Sequence, residues 1–177
     1  MIWESWPWEK RLLEMTSRLR DCKRTENINE ELLAQVEQDI FIGFYSVRKL
    51  IETTTKVTDS IKSMKIQVGW HPNLEHVNWL NNHKLEKLYD LEKLNKETRD
   101  ILFVCGRIIH SFIFTLAIDD DGLFGILFTS DTDKDKKLYS LELDEVINIF
   151  EQVGHDDPKE VKWEKDLVTG EEKTVVK

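Results

Sequence analysis

Residues 101–118, ILFVCGRIIHSFIFTLAI, are the most apolar stretch of the chain, and their reading decides the fold. Ile101, Leu102, Cys105, Ile108 and Ile109 recur at helical spacing. From Phe112 to Ile118 the residues are strand formers instead: Phe, Ile, Phe, Thr, Leu, Ala, Ile. The run therefore reads as a buried helix that feeds directly into a buried strand. Its length reaches the lower limit for a membrane span, but Arg107 and His110 would then sit near mid-bilayer, which is costly. No membrane is expected. Inside a soluble core the same two groups need hydrogen-bonding acceptors or water, so they mark the first place to look for function.

Working outward towards the C-terminus, Asp119-Asp120-Asp121-Gly122 is a turn signal, Leu123–Thr129 a second strand and Lys137–Leu143 an alternating third. Asp144 can cap a short helix carrying Val146, Ile147, Ile149, Phe150 and Val153, which Gly154 ends. Val161–Glu164 and Lys173–Val176 read as a last hairpin around Thr169-Gly170.

Towards the N-terminus, Leu85, Leu88, Leu91 and Leu94 line one side of a helix that continues or restarts near Lys96, and Gly69–His83 reads as loop. Leu33, Val36, Ile40, Phe44, Val47, Leu50 or Ile51, Thr54, Thr58 and Ile61 keep a three-and-four rhythm. One very long helix is expected from about Asn29 to about Lys65, with a weak point at Thr53-Thr54-Thr55, whose side chains are β-branched. Ser5 caps a first helix with Pro7 in its first turn and a stripe of Trp8, Leu12, Met15 and Leu19. The expected fold is α+β: a single domain over 1–177, with a helical part (1–110) followed by an antiparallel β-meander with one short helix and a C-terminal hairpin (111–177).

Composition bounds the function. The chain has 177 residues, of which 40% are hydrophobic and 33% charged, and it is long enough for a proper core. A net charge of −9 and a pI near 5.1 disfavour a broad phosphate-neutralising face, so nucleic acid is a weak partner candidate. A local basic cluster does occur at Arg11, Arg18, Arg20, Lys23 and Arg24. Two distant cysteines, Cys22 and Cys105, fit a reduced cytoplasmic setting, and no secretory signal opens the chain. The long helix and Trp3, Trp6 and Trp8 point to a homo-oligomer or a partner protein, and no cofactor is implied.

Three constellations carry chemistry. Asp131, Asp133, Asp135, Leu138 and Glu142 fall at the first, third, fifth, eighth and twelfth places of a calcium loop. They resemble the EF-hand family over those residues, except that Lys136 replaces the glycine of the sharp turn and the flanks read as strand. His71, His76 and His83 lack the tight pairing of zinc ligands. Arg48 and Glu52 lie one turn apart on the long helix, and a polar network joining Glu52 or Tyr45 to Arg107 or His110 is expected.

At Arg48-Lys49-Leu50-Ile51-Glu52 and His110-Ser111-Phe112-Ile113-Phe114 the chain resembles short bacterial proteins without an assigned activity. With Arg107 and His110 on one late helix it also loosely resembles the HEPN superfamily of ribonucleases and defence toxins. That resemblance implies a dimer whose paired Arg and His act on RNA phosphates without a metal, usually with four to six residues between them; here two intervene. The residues themselves favour a non-catalytic interaction or oligomerisation module, with the ribonuclease and the calcium module as alternatives.

Overall fold

The computed structural model describes residues 2–23, 29–119, 122–165 and 172–177. Helix α1, Trp6–Lys23, buries Leu12, Met15 and Leu19, the stripe read from the sequence. Helix α2, Glu30–Glu52, is capped by Asn29, whose side chain accepts the Leu32 N–H. It buries Val36, Ile40, Phe44, Val47 and Leu50.

The single very long helix is not formed. At Thr53 the backbone turns extended (φ −97°, ψ 109°), and its hydroxyl bonds back to the Lys49 carbonyl. The β-branched triplet thus ends the helix rather than bending it. One turn follows, α3 (Asp59–Lys62), before strand β1, Lys65–Pro72. A strand therefore replaces both the expected end of the long helix and the start of the expected loop. Its alternation, Ile66 and Val68 buried between exposed Lys65 and Gln67, is a strand pattern overshadowed by the longer helical rhythm before it.

The leucine ladder at 85–94 yields only a single turn, α4 (Leu85–Leu88). Strand β2, Asn95–Asp100, takes the place of the expected helical continuation. Its residues are all polar or charged, so no hydrophobic period announces it; backbone pairing to β1 alone makes it a strand. The 1–110 part is thus not purely helical.

The apolar run divides where the residue types change. Asp100 caps α5 (Ile101–Ile109) by accepting the Phe103 N–H, His110 ends it, and β3 runs from Ser111 to Asp119. Strands β4 (Gly122–Ser130) and β5 (Lys137–Glu142), helix α6 (Leu143–Gly154) and the hairpin β6 (Val161–Lys165) with β7 (Glu172–Val176) complete the chain. Residues Asp120, Asp121, Thr169 and Gly170 of the expected turns lie outside the described residues.

Five strands form one antiparallel sheet in the order β2-β1-β5-β4-β3. The two strands of the N-terminal half attach beside β5, so the sheet joins both halves of the sequence. Helices α1, α2, α5 and α6 cover one face, over Ile66, Val68, Ile126, Phe128, Tyr139 and Leu141. Residues 73–94 cover the other face, where Val77, Leu88 and Tyr89 pack on Ile113 and Leu138. Alternation along β3 and β5 sends neighbours such as Ile113 and Phe114, or Leu138 and Tyr139, into these two cores. Among the described residues no helix is long and apolar enough to cross a membrane.

Candidate functional site

Arg107 lies in the last turn of α5, but its acceptor comes from the β4–β5 loop rather than from α2. Its Nε donates to Asp133 Oδ2 at 2.5 Å, and its guanidinium lies 4.5 Å from the centroid of the Phe103 ring, one turn back. Arg99 of β2 stacks on the same ring at 4.6 Å and donates to Glu97. Lys137 of β5 donates to the other oxygen of Glu97 and sits 4.2 Å from the Trp70 ring. Tyr139 packs edge-on against Phe103. Burial pushes its phenol up to about 12, and the charges of Asp133 and Glu97 push the same way. Burial also raises the Glu97 carboxyl, but bonds from Lys137 and Arg99 outweigh it and hold the group below its ordinary value.

The arrangement is a ribbon of three cations and two carboxylates laid over aromatic rings at the β2–β1–β5 end of the sheet. Chemically it is largely satisfied: each carboxylate is engaged by a cation, and each cation rests on a ring. The two described hollows open elsewhere. One, of about 480 Å³, lies between Ile2, Trp8, Tyr45, Lys49 and Thr53; the other, of about 310 Å³, lies between Asn82, His83, Leu85 and β3.

His110 is exposed and is the C-cap of α5, its N–H donating to the Gly106 carbonyl. It is one turn from Arg107, but it takes no part in the ribbon. The expected network from α2 also stops short. Arg48 donates to Glu52 at 2.7 Å and holds its carboxyl below the ordinary value. Arg48 approaches α5 at Gly106, where an added Cβ would be 3.7 Å from its Nη1, and its charge reaches the neighbouring Cys105. Tyr45 is exposed, with the Lys49 ammonium 5.8 Å from its ring. The acceptor for Arg107 comes from a residue that the sequence had placed in a calcium loop.

Three carboxylates of that loop serve different neighbours, and the fourth residue, Glu142, lies in the strand ladder. Asp131 binds Lys134, Asp133 binds Arg107, and Asp135 accepts the Val77 N–H and pairs with His76. Glu142 stands opposite Gly125 at the end of β5. No described non-glycine residue has a positive φ, so Lys136 does not make the sharp turn that a calcium loop requires. Among the described residues no three His, Cys, Asp or Glu side chains form a group able to hold a metal. His71, His76 and His83 are likewise dispersed. His71 is buried with its Nδ1 lacking a hydrogen-bond partner, and His83 borders the smaller hollow.

Other candidates are spoken for. Burial pushes the Cys105 thiol up to about 12, which makes it a poor nucleophile, and both cysteines are buried and free. The basic cluster ties helices together: Arg18 forks onto Asp39 of α2, and Arg20 and Lys23 bind Glu151 and Asp144 of α6, while Arg11 pairs with Glu14 within α1. Arg24 lies outside the described residues.

The sequence did not single out Glu97, Arg99, Phe103, Lys137 or Tyr139. The one local signal was Phe103 four residues before Arg107 on a helix face. The rest depends on β2 and β5 both approaching α5, which pairing order alone decides.

A second surface feature has a different character. Trp79 and Leu80, 76% and 86% exposed, belong to the 73–94 segment that covers the second sheet face. The Trp79 ring contacts Phe112 at 4.4 Å. Phe112 is the extra residue of a β-bulge, because Ser111 pairs with Ser130 and Ile113 with Thr129. The bulge turns Phe112 towards Trp79 and joins the apolar patch to the edge of β3.

The chain matches no family model, no curated protein and no solved structure.

Proposed function

We propose that this chain is a non-catalytic interaction module that holds a protein surface through Trp79 and Leu80 beside β3. One observation carries the proposal: an indole and a neighbouring leucine stand 76% and 86% exposed beside Phe112 of β3. Keeping such side chains solvated forgoes their burial energy, and clustered exposure of this kind marks binding surfaces. The long helix plays a smaller part than its periodicity implied, since its apolar face is spent inside the core. A cytoplasmic setting belongs to this reading and is supported by two buried free thiols. The proposed role needs no cofactor.

The metal-independent ribonuclease is the second reading. Its support is that Arg107 and an exposed His110 share the end of α5. It ranks lower because the Nε of Arg107 is committed to Asp133.

The test places a photoreactive amino acid at position 79 and, separately, at position 96 on the charged strand β2. A discrete adduct from position 79 alone, whose partner is identified by mass spectrometry and binds again as purified protein, is expected. No discrete adduct from position 79, or equal adducts from both positions, refutes the reading. RNA cleavage abolished by His110→Ala with folding intact would reinstate the ribonuclease.

A further inference from the structure

The two edges of the five-stranded sheet are built differently. The outer strand β2 carries Lys96, Glu97, Arg99 and Asp100, and charge on an edge strand discourages pairing with another chain. The opposite edge, β3, has neither a charged residue nor a proline from Ile113 to Ala117. Its only strand neighbour among the described residues is β4, and no other described element offers it a backbone hydrogen bond. Alternate N–H and C=O groups of β3 therefore face outward without a strand to meet them.

We infer that two copies of this chain pair antiparallel along β3, centred on Thr115, so that their sheets merge into one of ten strands. This rests on the interaction reading above and specifies its partner as a second copy.

The register follows from packing. β-Bulges at Phe112 and between Ala117 and Ile118 bracket a regular run of five residues, Ile113–Ala117. Residues directly opposite one another in an antiparallel pair share a sheet face, so a two-fold axis must pass through a residue rather than between two. Thr115 is the centre of the run. An axis there sets Ile113 opposite Ala117 of the second copy, Phe114 opposite Leu116, and Thr115 opposite itself. Each flanking pair matches a larger side chain with a smaller one on the same face. An axis at Phe114 or Leu116 would drive one end of the run into a bulge.

The flanks extend the contact beyond the backbone ladder. On one face Trp79 lies on Phe112 beside the hollow lined by Asn82, His83 and Leu85; on the other Phe41 of α2 packs on Phe114. A second strand at this edge would cover both. The seam itself holds no charge, whereas each chain carries −9 overall, so the association is short-ranged and tightens as salt screens the repulsion.

Sedimentation velocity on the full chain should show a dimer that strengthens with ionic strength. Thr115→Lys sets like charges face to face on the axis. It should weaken the dimer on the order of tenfold or more, with an unchanged circular dichroism spectrum. Thr115→Cys should form a disulfide-linked dimer under mild oxidation, while Thr98→Cys on the charged edge should not; Cys22 and Cys105 are buried and silent. The Cys variant keeps the test decisive should the Lys variant fail to fold. A monomeric wild type at high concentration, or cross-linking as fast at position 98 as at 115, overturns the inference. A Trp79 adduct containing a different protein, alongside a monomeric chain, would overturn the dimer and leave the interaction reading standing.

Discussion

Arg107→Ala separates a structural from a chemical role for the most conspicuous polar residue of the chain. The substitution removes a charge-assisted hydrogen bond to Asp133 between side chains 29% and 16% exposed. Such bonds contribute about 1.5–3 kcal/mol. It also removes the guanidinium from the Phe103 face, worth about 0.5–1 kcal/mol at a partly solvated site. The Asp133 carboxylate would keep the Ser130 hydroxyl at 3.4 Å. The sum is a loss of about 2–4 kcal/mol, with the lower half favoured because solvent screens both partners. Arg107→Lys keeps the charge but not the planar fork, so it should lose about half as much. Urea denaturation followed by circular dichroism measures each variant, and a double-mutant cycle with Asp133→Asn isolates the pair. A coupling of about 1 kcal/mol or more is expected. A loss below about 0.5 kcal/mol for Arg107→Ala, within the range of ordinary surface substitutions, would refute the assignment of Arg107 as a tie between α5 and the β4–β5 loop.

Gly43→Ala tests the α2–α6 contact. On an open helix it would stabilise by about 1 kcal/mol, but here the new Cβ would lie 2.1 Å from the Phe150 ring, and overpacking costs about 1–3 kcal/mol. A net loss of stability is expected, largely recovered by adding Phe150→Leu; a raised melting temperature refutes the close approach. Alkaline stability follows from Cys105 and Tyr139, both pushed up by burial to about 12. The folded state then keeps protons that the unfolded chain releases above about pH 8.5–10. Their contribution is complete below that window and is lost as pH rises through it towards 12. Urea midpoints should decline from about pH 9 upward, and less steeply for Cys105→Ala; an identical decline in that variant refutes the part assigned to the thiol.

The α+β class and most of the individual elements were legible in the sequence, because their signals are local. The 3.6-residue rhythm of α1 and α2, the start of α2 near Asn29, and the change from helix to strand formers after His110 all depend on near neighbours. Where α2 stops was only half legible: Thr53–Thr55 marked the weak point, but the competing pull of β1 into the sheet decided the end.

What the tertiary structure alone decided is non-local. β2 has no hydrophobic period and exists because β1 offers it a backbone partner. Arg107 could be named from its apolar surroundings, but its partner was expected on α2, at Glu52 or Tyr45, and is Asp133, 26 residues away along the chain. Ion-pair partners are chosen by which loop reaches a charge, and that depends on strand order. The same order leaves β3 as an edge, although its sequence reads as an inner strand. A single chain records which side chains favour burial; which backbone edge remains open appears only once every strand has found its neighbours.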